Sequence, residues 1–260
     1  MIYGERSDRE LKYAKAQAKA TEFFVDESAI PDFGMNSDEL HYSSILTLSS
    51  YVDARLSGNN GKEHLLDLKK TGAFYDAASN DGRNAKFSDG YWMLAMATYF
   101  LLGNYGSCKV AASKIKDADY YGTRARALHG FVSYLLNPGN PIPEELRILG
   151  QYLEGGNVDE ADVIEEAASL HTDTNPEDLF FGGVLYVSIL DSLSFSTRSL
   201  LPVYTKIGLE EWKPYLVQES FPKLLWQAQQ QIGRAGVFSG GNAFVQLPTG
   251  TGKTKSIELL

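Results

Sequence analysis

The fold of most of this chain is decided by residues 92–102, which read WMLAMATYFLL. Wound into a helix, this stretch is apolar on nearly every side. A surface helix keeps one polar face, whereas a helix that is apolar all round is buried. The stretch therefore predicts a helix in the middle of a bundle, with Trp92, Tyr99 and Phe100 as core residues rather than as a base-stacking platform.

Helical patterns extend from this stretch towards both ends of the chain. Ser37 can cap a helix running to about Leu56, since two acidic residues follow it and suit the positive end of the helix. Further helices are predicted at 5–25, 62–79, 143–154, 158–170 and 176–196. Almost nothing before residue 200 alternates with the period of a strand. Residues 1–205 are therefore predicted to form an all-α accessory or regulatory domain.

The turn after the central stretch indicates what kind of bundle this is. Leu102-Gly103-Asn104-Tyr105 joins two apolar patterns and resembles the helix-turn-helix of a tetratricopeptide unit. The repeat of about 34 residues that defines such units is not sustained along the chain. We therefore predict an irregular, helical-repeat-like bundle rather than a regular array.

Composition limits the class of protein further. The 260 residues are 43% hydrophobic and 22% charged, which is typical of a globular protein of one or two domains. The sequence contains neither a long uncharged apolar stretch nor an N-terminal signal peptide, so we expect a cytoplasmic protein with no membrane partner. A single cysteine, Cys108, excludes an internal disulfide, and the four histidines have no metal-ligand spacing.

Charge is divided unevenly along the chain. Residues 1–205 hold 29 acidic and 18 basic residues, whereas residues 206–260 hold 4 acidic and 6 basic residues. Between residues 139 and 178, eleven carboxylates face one base, Arg147. This run is either a solvated helical face or a docking surface for a basic partner. In both cases the first 200 residues are not expected to be the main nucleic-acid surface.

A different pattern begins near residue 243, where the apolar run 243–247 fits a short buried strand and residues 255–260 fit the start of a helix. Between them lies the glycine loop Pro248-Thr249-Gly250-Thr251-Gly252-Lys253-Thr254, in the order that a phosphate-binding loop requires. The loop's backbone N–H groups would hold phosphates, and Lys253 would neutralise the β- and γ-phosphates. The Thr254 hydroxyl would be a Mg²⁺ ligand. The predicted cofactors are ATP and Mg²⁺.

The loop resembles motif I of superfamily-two helicases, although Leu247 stands where the general phosphate-loop pattern has glycine. The resemblance covers residues 221–260 and implies the first strand, loop and helix start of an α/β recombinase-like lobe. A helical region before the motor is also found in bacterial anti-phage helicases, and the chain looks similar to the Hachiman helicase subunit. That resemblance implies a response to DNA and a small nuclease partner.

The segment before the loop is rich in glutamine. Residues 221–238 look like the part of these helicases in which a glutamine reads the adenine edge, a task that suits an amide because it both donates and accepts. By spacing we choose Gln229, with Gln227 and Gln230 as alternatives. The segment can also be read as an ordinary polar helix face.

One tetrad imitates a catalytic motif. Asp159-Glu160-Ala161-Asp162 spells the acidic box of the same superfamily, but it precedes motif I and follows no buried strand. Asn157 as a helix N-cap, with acidic residues in the first turn, explains it without catalysis.

These features lead to one leading hypothesis and one alternative. Neither an acidic box nor an arginine finger follows motif I within the 260 residues, so we expect them to be the N-terminal part of a longer ATP-dependent helicase or translocase. Residues 206–260 would then be a linker and the beginning of the first motor lobe, and nucleic acid, with DNA favoured over RNA, would bind the lobes that follow. The alternative is a standalone helical protein-interaction adaptor with a vestigial loop.

Overall fold

The computed structural model describes residues 37–137, 139–172, 175–242 and 244–246, and the separate residues Lys12, Lys15, Ala16, Lys19 and Phe23. Within these ranges the chain forms α-helices and short 3-10 helices but no strand, and an isolated β-bridge pairs Ser196 with Leu224. The prediction of a mainly α-helical bundle is confirmed.

Eleven α-helices lie in the described residues. They are α1 (Ser37–Leu56), α2 (Leu65–Asn80), α3 (Ser88–Leu101), α4 (Tyr105–Lys114), α5 (Thr123–Leu136), α6 (Arg147–Leu153), α7 (Glu160–Leu170), α8 (Pro176–Phe195), α9 (Thr197–Thr205), α10 (Leu209–Leu216) and α11 (Gln227–Arg234). Short 3-10 helices lie at Lys62–His64, Gly82–Phe87, Glu144–Leu146 and Val237–Ser239.

Helix α3 lies in the centre of the main core, as its sequence predicts. Met93, Ala95 and Met96 are completely buried, and Trp92 and Phe100 are buried as well. The helix packs against α2, α4, α5 and α8. Tyr99 differs from the prediction in being half-buried, because its ring reaches the surface and its hydroxyl bonds to Asp76. Cys108 is fully buried and its thiol donates to the Met96 carbonyl oxygen, so it is a packing residue.

Helix α8 is the second central helix of the bundle. Asn175 caps it by accepting a hydrogen bond from the Glu177 N–H, and Pro176 occupies the first turn, where no N–H is needed. By length and composition α8 could cross a membrane, but 56% of its most apolar window is buried inside the protein. Core helices of soluble proteins can have the same length and composition. Burial against α1, α5 and α7 explains its apolar character here.

Residues 221–226 attach the C-terminal helices to the bundle. The Lys223 carbonyl oxygen accepts from the Thr197 N–H at 3.0 Å, and the Leu225 N–H donates to the Phe195 carbonyl oxygen at 3.0 Å. Leu224 enters the main core, and the Trp226 ring lies 5.9 Å from that of Tyr105. A second, smaller core made of Leu201, Leu225, Ile232 and Phe238 joins α9 to α11. Leu201 precedes residue 205, where the domain boundary was predicted, and the other three residues of this core follow it.

The structure does not show the predicted strand at 243–247. Its described part, residues 244–246, has no regular secondary structure, and the Phe244 side chain is 95% exposed. A buried strand needs neighbouring strands to satisfy its backbone. None of the described residues pairs with this segment.

Candidate functional site

The residues of the predicted phosphate loop, Thr249, Gly250, Thr251, Gly252, Lys253 and Thr254, lie outside the described residues. Their assignment to phosphate and Mg²⁺ therefore stays a prediction. The glutamine segment that precedes them is described. Its residues form α11, which begins after Trp226, so the segment predicted to read adenine is helical.

Gln229 closes the N-terminus of α11. Its side-chain Oε1 accepts a hydrogen bond from the Trp226 backbone N–H at 2.7 Å, and the residue is 2% exposed. The first N–H groups of a helix have no partner within the helix, so a side-chain oxygen at this position stabilises the helix start. Adenine recognition by Gln229 would require a nucleotide to reach this buried amide beside the cap.

The two alternative glutamines differ in accessibility. Gln230 is 6% exposed, and its Nε2 donates to the Leu225 carbonyl oxygen at 2.8 Å. Its Oε1 accepts from Arg234 at 3.4 Å. Gln227 lies at the first position of α11 and is exposed. Of the three, Gln227 is the one with a solvent-accessible amide.

A cleft of about 780 Å³ lies beside α11, on the side that carries Gln227 and not Gln229. Its other walls come from the loop 58–62, the turn between α3 and α4, and the C-terminal part of α8. Gly61 makes a close approach possible, because it has φ 65° and a Cβ there would lie 2.7 Å from the Tyr51 ring. The sequence shows the residues of this loop only as a helix break.

An ion pair lies at the edge of this cleft. The Arg55 guanidinium donates two hydrogen bonds to Asp191, at 2.6 and 3.3 Å, and a third to the Tyr51 hydroxyl at 3.1 Å. Burial raises the pKa of Asp191 above its usual range, although Arg55 acts in the opposite direction. The two partners are 136 residues apart in sequence, so no local pattern could have indicated this pair.

The tetrad Asp159-Glu160-Ala161-Asp162 begins a helix, as predicted, but the capping residue is different. Asp159 is the N-cap of α7, and the Asp162 carboxylate accepts from the Asp159 backbone N–H at 3.2 Å in a capping box. Asn157, which the sequence favoured as the cap, lies two residues before this position. The prediction of Asn157 was wrong because Asn157 and Asp159 both have side chains that can cap a helix, and only the path of the chain selects one of them.

Several carboxylates of the acidic run 139–178 bind parts of the bundle itself. Glu166 accepts from the backbone N–H groups of Ile148 and Leu149, at 3.0 and 3.1 Å, near the start of α6. Asp178 accepts from the Arg124 N–H at 2.9 Å. Glu154 accepts from the Tyr134 hydroxyl at 3.1 Å. A part of the acidic excess therefore holds helix ends rather than facing a partner.

No family model matches this chain, and neither the curated proteins nor the solved structures contain a match to it.

Proposed function

We propose that this chain is the N-terminal region of an ATP-dependent superfamily-two helicase or translocase that acts on nucleic acid, with DNA as the favoured substrate. The observation that carries the proposal is the run 248–254, PTGTGKT, which follows an apolar segment and a glutamine-rich helix. In this proposal Lys253 binds the β- and γ-phosphates of ATP, and Thr254 provides a ligand to Mg²⁺.

The attachment of α11 to the bundle supports a regulatory role for the helical region. Residues 221–226 are hydrogen-bonded to the junction of α8 and α9, and α11 contributes to a core that it shares with α9. A helix held in this way moves with the bundle. A movement of the bundle would therefore be transmitted to the segment that leads into the phosphate loop.

The proposed setting is cytoplasmic anti-phage defence together with a nuclease subunit. Exposed carboxylates on the surface of residues 139–178, among them Glu144, Glu160 and Glu165, would suit a basic docking partner. Co-purification of the full-length protein from its native genomic neighbourhood would identify such a subunit. Recovery of the protein without any nuclease would contradict this part of the proposal.

The role of the loop is tested by Lys253→Ala in the full-length protein. We expect nucleic-acid-stimulated ATP hydrolysis and unwinding to fall to background, because the charge on the transferred phosphate loses its main counter-charge. The matched control is Lys255→Ala, which removes a lysine of the same segment that lies outside the motif. Circular dichroism should show both variants folded.

Two results would contradict the proposal. One is retained ATP hydrolysis in Lys253→Ala. The other is a reading frame that stops directly after the codon for Leu260, because hydrolysis needs a magnesium-binding acidic residue after motif I.

A further inference from the structure

We propose that the cleft between the helical bundle and α11 binds a small phosphorylated ligand of the nucleoside monophosphate class. The proposal does not depend on the phosphate loop. It rests on the charge, the polar groups and the apolar walls of the cleft, which residues of the bundle and of α11 form together.

The cleft is positively charged in a protein that is negatively charged overall. Arg55, Lys62 and Arg234 line it, and among the described lining residues Asp191 is the only carboxylate. Because Arg55 neutralises Asp191 at 2.6 Å, Lys62 and Arg234 remain as two uncompensated cations. The full chain carries a net charge of −9. Two cations in the lining of one cleft favour the binding of an anion there.

Among the residues that the structure describes, no carboxylate forms an ion pair with either of these two cations. Lys62 is exposed and forms no ion pair within the described part of the chain. Arg234 is also exposed, and its guanidinium donates a long hydrogen bond, 3.4 Å, to the Gln230 Oε1. Both side chains are therefore available to a phosphate, which accepts charge-assisted hydrogen bonds from lysine and arginine.

Amide groups lie beside the cations. Gln227 and Gln231 are four residues apart on α11, so they share one face of the helix, and both are exposed and line the cleft. An amide donates and accepts at once, which suits the edge of a base or the hydroxyl groups of a ribose. These amides favour a nucleoside phosphate over a simple inorganic anion.

Apolar side chains also line the cleft, beside the polar side chains of Asn59, Asn60 and Ser194, and provide contact for the uncharged part of a ligand. Leu65, Leu101, Leu102 and Phe195 form this part of the wall. A volume of about 780 Å³ is within the usual range for a small-molecule site, in which apolar walls surround a few polar groups. The volume is sufficient for one nucleotide and does not require an extended strand.

The test is calorimetric titration of AMP into the full 260-residue chain carrying Lys253→Ala, which disables the phosphate loop. We expect AMP to bind with a dissociation constant of about 1 mM or tighter. Lys62→Ala and Arg234→Gln, each added to this background, should weaken binding roughly tenfold, which corresponds to about 1.4 kcal/mol. The matched control is Lys69→Ala, which removes an exposed lysine of α2 outside the cleft lining.

Further ligands separate the contributions of phosphate and nucleoside. Inorganic phosphate should bind more weakly than AMP and should respond to the same two variants, whereas adenosine should bind more weakly than AMP and should not respond to them. The proposal is overturned if AMP shows no binding at about 10 mM, or if adenosine binds as tightly as AMP. It is also overturned if the Lys62→Ala and Arg234→Gln variants bind AMP as tightly as the Lys69→Ala variant does. Binding by the parent chain that disappears with Lys253→Ala would assign AMP to the phosphate loop and equally overturn the proposal. Unchanged thermal unfolding of each variant confirms that the fold is intact.

Discussion

Single polar side chains close several helix ends in this protein, and Arg198 does so at a distance in sequence. Its guanidinium donates to the carbonyl oxygens of Tyr152, Gly156 and Val158, at 2.6, 3.0 and 3.3 Å. It also lies 4.0 Å from the centre of the Tyr152 ring. The C-terminal carbonyl groups of a helix have no partner within it, so one arginine satisfies the end of α6 and the loop beyond it.

We expect Arg198→Ala to lower the free energy of unfolding by about 2 kcal/mol, because three carbonyl oxygens lose a charged donor and the residue is half-buried. Urea denaturation followed by circular dichroism would measure this change. Arg147→Ala is the control, since Arg147 is exposed, and it should change the free energy by less than about 0.5 kcal/mol. Equal effects of the two variants would show that these hydrogen bonds do not stabilise the fold.

Residue patterns gave the glutamine segment two interpretations, an adenine contact or a polar helix face, and did not indicate the environment of each glutamine. An amide-rich run before motif I indicated an adenine contact, and spacing selected Gln229. The structure shows Gln229 buried as a helix cap and Gln227 exposed. The two differ because α11 turns one of them towards the bundle and the other towards the cleft, and this depends on packing against α9.

At the scale of the element, α7 illustrates how a motif-like sequence acquires a structural role. The four residues 159–162 match a catalytic box in spelling, yet they form the cap and first turn of a helix. Acidic side chains suit this place because the helix N-terminus carries a partial positive charge. The position of a motif relative to strands and loops is therefore a better indication of its role than its amino-acid sequence alone.

We expect Asp159→Ala to destabilise the protein by about 1 kcal/mol, since it removes the capping side chain of α7. Thermal or urea unfolding would measure this. In the full-length protein the ATP hydrolysis rate should stay unchanged, because the cap is no part of the proposed nucleotide site. Asp159→Ser keeps a capping oxygen and should restore most of the stability. Loss of hydrolysis in a folded Asp159→Ala variant would instead indicate a catalytic role.

At the scale of the whole molecule, the bundle buries or half-buries several tyrosine rings. Burial raises the pKa of six of them in the described residues, namely Tyr51, Tyr91, Tyr99, Tyr105, Tyr121 and Tyr134. In the unfolded chain tyrosine loses its proton near pH 10. Above that pH the folded state therefore holds protons that the unfolded state has lost, and stability falls as the pH rises.

We expect the free energy of unfolding to fall by at least about 2 kcal/mol between about pH 9 and about pH 11. Lys223 acts in the opposite direction, because burial lowers its pKa. This residue alone would make stability rise with pH, but its effect is opposed by that of the six tyrosines. Urea unfolding at the two pH values, with tyrosinate absorbance as a second signal, would measure the effect. Equal stability at both values would show that these hydroxyl groups ionise freely in the folded protein.

The sequence by itself determined the helical class of the described region and many of its helix bounds. The predicted helix from Ser37 to Leu56 forms over those residues, and the apolar stretch 92–102 lies in the core. Helix type and burial follow from patterns within one or two turns, so they can be read locally. The phosphate loop is also predicted locally, from a motif, and it stays a prediction because its residues lie outside the described ones.

Only the tertiary structure decided which distant residues meet. It brings Arg55 onto Asp191 and places both Lys62 and Arg234 in the lining of one cleft. It also attaches residues 221–226 to the junction of α8 and α9. Such contacts join parts of the chain far apart in sequence, and they depend on how the helices pack against one another. A period of 3.6 residues carries information about one face of one helix, and none about the helix that will cover it.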